Sequence, residues 1–107
     1  MKEAQFHPAA LKVIKEFPVE VKKDLGKAIL ELQRGASIGP PLSKPIKTVA
    51  KGVSELRLKD RNGIYRVFYL LESSKGVIVF HAFVKKSQKT PQKEIELGRK
   101  RLKELLD

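Results

Sequence analysis

Asn62-Gly63 lies between two runs of alternating side chains, Val53 to Asp60 and Ile64 to Leu71, and it restricts the fold more than any other feature of the chain. A two-residue type I′ turn needs positive φ at both central positions, which Asn and Gly adopt most readily, so the pair signals a β-hairpin. With these residues at the tip, Arg61 faces Ile64, Lys59 faces Arg66 and Arg57 faces Phe68. A third run, Val77 to Lys85, follows Ser73-Ser74-Lys75-Gly76, and counting around Ser74-Lys75 sets Arg66 opposite Phe83 and Phe68 opposite His81. A meander of three antiparallel strands is expected.

Side chains alternate along each strand, so this register divides the sheet into two faces. One carries Leu56, Leu58, Val67, Leu71, Ile78, Phe80 and Val84, an apolar surface for helices to cover. The other carries Glu55, Arg57, Lys59, Arg66, Phe68, His81, Phe83 and Lys85. Cations around two phenyl rings and an imidazole suit the gripping of phosphate while bases stack on aromatic side chains. Lys59 and Arg66 are then like charges directly opposite, a pairing that destabilises a sheet until an anion arrives. Tyr65 and Tyr69 fall on the core face, with hydroxyls reaching its edge.

The helices come from periodicity. After a short strand-like Glu3-Ala4-Gln5-Phe6, Pro8 opens a helix with Ala9, Ala10, Val13, Ile14 and Phe17 at helical spacing, and His7 stands at its start. Pro18 ends it, and Val21, Leu25, Ala28, Ile29 and Leu32 form a second apolar stripe stopped by Gly35. Residues 35–51, with Gly39-Pro40-Pro41 and Pro45, read as a loop. Pro91 to Leu106 reads as a last helix, with Glu94 and Glu96 early and Arg99, Lys100, Arg101 and Lys103 late, an order that suits the helix dipole. The expected fold is α+β: a small antiparallel sheet with an N-terminal helical hairpin and a C-terminal helix, in one domain spanning 1–107.

The chain has 107 residues, 41% of them hydrophobic, and 23 Lys+Arg against 12 Asp+Glu give a formal charge of +11. So large an excess on so small a surface implies a polyanionic partner. Acids are missing from two windows: Arg34, Lys44, Lys47 and Lys51 lie between Glu31 and Glu55, and Lys75, Lys85, Lys86, Lys89 and Lys93 lie between Glu72 and Glu94. Cysteine is absent, which rules out disulfides and thiolate metal sites. No metal-ligand cluster, phosphate-binding glycine loop or nucleotide fingerprint is present, so no cofactor is expected. No apolar run reaches the roughly 20 residues that span a bilayer, and a soluble, cytoplasmic protein is expected.

Glu55-Leu56-Arg57, Tyr65-Arg66-Val67-Phe68-Tyr69 and His81-Ala82-Phe83-Val84-Lys85-Lys86-Ser87-Gln88-Lys89-Thr90-Pro91 resemble the HigB branch of the RelE toxin superfamily, including its phage-derived Gp49-like members. The resemblance covers nearly the whole chain, and the lysine-rich stretch ending in Thr-Pro is its most specific part. It implies the toxin of a type II toxin-antitoxin system: a cofactor-free, ribosome-dependent endoribonuclease that cuts mRNA and is silenced by a DNA-binding, helix-turn-helix antitoxin. Metal-free cleavage by the ribose 2′-OH needs a base, cations for the phosphorane charge, and an acid for the leaving oxygen. Arg57 and Arg66 match the family's cleft and can hold phosphate through paired N–H groups. Lys85, Lys86 and Lys89 match its basic stretch, for RNA binding or charge stabilisation.

Known relatives use a late tyrosine, and this chain has none after Tyr69. The base is therefore left between Glu55 and His81, against the alternatives of a salt-bridged glutamate and a packed histidine. Lys59, Phe68, Phe83, Lys86 and Lys89 are the expected RNA contacts. Two rival functions stand beside the nuclease: a gyrase-blocking toxin of the ParE type, and a non-catalytic RNA- or ribosome-binding module explained by charge alone.

Overall fold

The computed structural model describes residues 1–85 and 89–106. In chain order it forms β1 (Ala4–Phe6), α1 (Pro8–Lys15), α2 (Val19–Gln33), β2 (Ser43–Pro45), β3 (Val53–Asp60), β4 (Gly63–Glu72), β5 (Gly76–Lys85) and α3 (Gln92–Leu106). The five strands make one sheet in the order β1-β5-β4-β3-β2. The α+β class and the helix placement match the sequence reading. Two details differ. Ser43–Pro45 lies in the stretch read as loop and adds an edge strand to β3, and β1 joins β5 as a parallel strand in an otherwise antiparallel sheet.

Local chemistry explains the helix starts. His7 caps α1, its Nδ1 accepting from the Ala9 amide at 3.0 Å, and Pro8 fills the first turn where no amide donor is needed. The α2 stripe Val21, Leu25, Ala28, Ile29 and Leu32 is buried as its spacing requires. It packs with Ile14 and Phe17 over Leu56, Leu58, Val67 and Ala82 to form the first core. Each such aliphatic side chain, fully buried, stabilises by about 1.5–3 kcal/mol. Tyr65 and Tyr69 lie in this core, and their hydroxyls meet Asp60 at 3.2 Å and Ser43 at 2.6 Å.

The hairpin register differs from the expected one by two residues. Asp60 pairs with Gly63, Lys59 with Ile64 and Arg57 with Arg66, so Arg61-Asn62 is the tip. Neither Asn62 nor Gly63 has positive φ. The turn is set instead by Asp60, whose Oδ1 accepts from the amides of Asn62 and Gly63, each at 2.9 Å. A slip of two keeps every side chain on its expected face, whereas a slip of one would have inverted them all.

The β4–β5 pairing supplies the larger correction. Phe68 faces His81 and Arg66 faces Phe83 as expected, but Tyr69 faces Val79, so Phe80 is an extra residue in a β-bulge. Alternation breaks there. Ile78 and Phe80, expected beneath the helical hairpin, instead share the opposite face with Phe68 and Phe83 and form a second core with Val53, Ile95 and Leu102 under α3. Leu71 and Val84, also expected in the core, are 43% and 51% exposed.

Close approach fixes α3. A Cβ on Gly98 would lie 2.9 Å from the Phe68 ring, so the glycine lets the helix sit directly on the sheet. Among the described residues no helix is long and apolar enough to cross a membrane.

Candidate functional site

One row of charged side chains, mostly cations, crosses the sheet beside the second core. β3 contributes Glu55, Arg57 and Lys59, β4 contributes Arg66, β5 contributes Lys85, and the edge strand β2 contributes Lys44, the cross-strand partner of Glu55. Arg57 and Arg66 are themselves direct partners. The Glu55 carboxylate lies between them, its Oε1 3.5 Å from Arg66 Nε and 3.8 Å from Arg57 Nε. Neither Nε–H makes a hydrogen bond among the described residues. The carboxylate thus neutralises part of the charge at ion-pair range while leaving both donors unfilled. Its Oε2 accepts from Thr90, just before α3, at 3.4 Å.

The cluster is largely withdrawn from water: Glu55, Arg66 and Lys85 are 6%, 5% and 4% exposed. Burial, with the positive charges of Arg66, Arg57 and Lys44 against the opposing pull of Glu55, holds the Lys85 ammonium below its ordinary value. Burial also lowers Arg66, with Glu55 opposing and Arg57 adding to the effect. A cavity of about 430 Å³ opens onto Arg57, Lys59 and Arg66, and Pro41, Leu42, Leu58 and Ile64 complete its lining.

Three candidates fall outside this cluster. Phe68 and Phe83 are 0% and 7% exposed, packed on each other with Phe68 also against Phe80 in the core beneath α3, so neither ring offers a face for a base to stack on. The bulge that brought Phe80 to this face closed it. His81 is 1% exposed, and both its ring nitrogens are engaged: Nε2 meets Glu94 at 2.8 Å and Nδ1 meets Arg101 at 2.7 Å. A guanidinium only donates, so Nδ1 accepts and the proton resides on Nε2. Burial, the first cause, lowers the imidazole below its ordinary range with Arg101 adding and Glu94 opposing. Such a ring has no open nitrogen for a 2′-OH. Lys89 is exposed at the end of the strand-to-helix connection, and Lys86 lies outside the described residues.

Lys44 and Thr90 join the site without having been singled out. Lys44 stood in an acid-free window, but its stretch read as a loop, and only pairing with β3 aims it at Glu55. Thr90 stands in the family-like stretch that ends in Thr-Pro, but only the fold brings its hydroxyl to Glu55.

The family model described as "Phage derived protein Gp49-like (DUF891)" matches residues 12–103. The chain belongs to the phage-derived Gp49-like family. The matched span of this Gp49-like chain includes Lys44, Glu55, Arg57, Lys59, Arg66, Lys85 and Thr90. Among solved structures, the crystal structure of the isolated E. coli RelE toxin is similar, with a TM-score of 0.54 and 21% identity over 82% of this chain and 89% of that one. At that identity the likeness is one of fold, and the Gp49-like chain has the RelE-type fold. None of the curated proteins matches the chain.

Proposed function

We propose that this protein is the toxin of a type II toxin-antitoxin pair and cleaves mRNA on the ribosome, without a metal, as an endoribonuclease. The observation that carries this reading is the pair formed by buried Arg66 and half-buried Arg57, whose Nε–H donors are themselves buried and have no hydrogen-bond acceptor among the described residues although both lie within ion-pair range of Glu55. Donors already desolvated and held in place cost little to reorganise when negative charge builds on a phosphate.

In this mechanism the ribose 2′-oxygen attacks the adjacent phosphorus while Glu55 takes the hydroxyl proton. Arg57 and Arg66 hold the phosphorane oxygens. The P–O5′ bond breaks, the 5′-oxygen receives its proton from Lys85, and a 2′,3′-cyclic phosphate is left. A lowered Lys85 ammonium is a better acid for that step than a solvated lysine. Lys44, Lys59, Lys86 and Lys89 would guide the RNA backbone. Silencing falls to an acidic, DNA-binding antitoxin, since a compact cationic face requires a complementary surface. The site of action is the cytoplasm.

The test is cell-free translation with messenger 5′ ends mapped by primer extension, beside naked RNA, an Arg66→Ala variant and a gyrase supercoiling assay. Cuts on translated messenger that fall by about 10²- to 10³-fold with Arg66→Ala are expected. Intact messenger with inhibited supercoiling would replace this reading with a gyrase poison, and inactivity in both would leave an RNA-binding module.

A further inference from the structure

With Phe68 and Phe83 enclosed, the cations have no aromatic platform beside them, yet a grip on single-stranded RNA draws much of its strength from stacked bases. The cavity next to Arg57 and Arg66 supplies a different surface. Pro41 and Leu42 come from the segment before β2, Leu58 from β3 and Ile64 from β4, so apolar walls from separate parts of the chain meet beside the guanidinium groups. A bare phosphate would need only the cations. A nucleotide needs both halves: donors for its phosphate and a dry surface for the π-face of its base.

The walls are held in place before any ligand arrives. The Arg57 amide donates to the Leu42 carbonyl at 2.7 Å, the Ser43 amide donates to the Gly39 carbonyl at 3.0 Å, and the Ser43 hydroxyl meets the buried Tyr69 hydroxyl at 2.6 Å. A volume of about 430 Å³ suits one small ligand and no larger structure.

We propose that this cavity receives one unstacked nucleotide of single-stranded RNA, its base against Pro41, Leu42 and Ile64 and its phosphate on Arg57 and Arg66. The proposal rests on the reading of the cation cluster as an RNA site and names the element that replaces the missing aromatic stack. The side chains lining the slot offer donors from Arg57, Lys59 and Arg66 but no acceptor. With Arg57 and Arg66 assigned to the phosphate, grip on the base comes chiefly from its face against the apolar wall, which every base possesses, and purines and pyrimidines both enter.

The test is an NMR titration of the whole chain with inorganic phosphate, ribose 5-phosphate, 5′-AMP and 5′-UMP, following the amides of Leu42, Arg57 and Ile64. Both nucleotides should bind about tenfold more tightly than ribose 5-phosphate. Ile64→Ser should abolish that advantage while leaving the affinities for phosphate and ribose 5-phosphate unchanged. Equal affinities for ribose 5-phosphate and the nucleotides in the wild-type chain would overturn the slot, and so would an advantage that survives Ile64→Ser with shifts elsewhere. Failure of inorganic phosphate to bind at all would remove the anion site itself and with it the reading beneath, a result distinct from loss of the base contribution alone.

Discussion

Arg101 donates to Nδ1 of His81 across 2.7 Å, which fixes this strand imidazole as the neutral Nε2–H tautomer and joins α3 to β5. Burial keeps it neutral by lowering its proton affinity below the ordinary 6.5. In the unfolded chain the ring protonates near 6.5, whereas in the fold it resists, so the unfolded state binds more protons between the two values. The contribution to stability is therefore complete above pH 6.5 and is lost as pH falls through the lowered folded value. Gln at this position can accept from Arg101 and donate to Glu94 without titrating. Thermal unfolding from pH 8 to 5 should show a steeper loss in the wild-type chain than in His81→Gln. Equal slopes would place the titration elsewhere.

Glu55 holds Arg57 and Arg66 together at 3.8 and 3.5 Å. In Glu55→Gln the shape persists but buried Arg66 and half-buried Arg57 lose their carboxylate, at a cost of about 3 kcal/mol, most of it from Arg66. Urea denaturation should show this loss, and added phosphate should restore more stability to the variant than to the wild-type chain, because binding to the folded state stabilises it by mass action. The same variant should cut no messenger if Glu55 is the base.

Tyr69→Phe removes one partner of the 2.6 Å hydroxyl pair and leaves the buried Ser43 oxygen unmatched. A loss of about 1–3 kcal/mol is expected. Because Ser43 and Lys44 are neighbours on opposite faces of β2, loosening the first disorders the aim of the second. Messenger cleavage should fall in Tyr69→Phe and in Lys44→Ala, and a double variant should lose no more than the worse single one if both act through Lys44.

Gly98→Ala sets helix propensity against packing. Alanine inside an exposed helix would stabilise by about 1 kcal/mol. Here its Cβ would stand 2.9 Å from the ring of Phe68, which is fully enclosed and has nowhere to retreat. Overpacking costs about 1–3 kcal/mol, so a net fall in the melting temperature is expected. A rise would mean that α3 shifts away from the sheet at little cost.

The division between what the sequence discloses and what it hides follows the range of each interaction. Helix limits and strand limits rest on neighbours within a few residues, and Val53–Asp60 matches its expected bounds at both ends. The gathering of Arg57, Arg66, Lys85 and Glu55 on one face was legible because period-two alternation survives a register slip of two. The edge strand β2 was not, since its three residues owe their pairing to β3 and not to any pattern of their own. Nor was the bulge at Phe80, which sets Phe80 beside Phe68 in the core under α3, a contact between elements distant in sequence. That bulge turned the expected stacking rings and His81 into core, whereas the apolar cavity beside the cations was hidden because Pro41 and Leu42 of its wall lie in the stretch that reads as a loop.

The bulge also separates two kinds of length variation that would otherwise look alike. At the Ser73-Ser74-Lys75 tip, residues can be gained or lost with the change absorbed in solvent. At Phe80 a single deletion would rejoin the ladder and leave Val77 and Val79 under the helical hairpin, but it would take a fully buried ring out of the core beneath α3. Relatives that share this site should therefore align with gaps at the tip and with none between Val79 and His81.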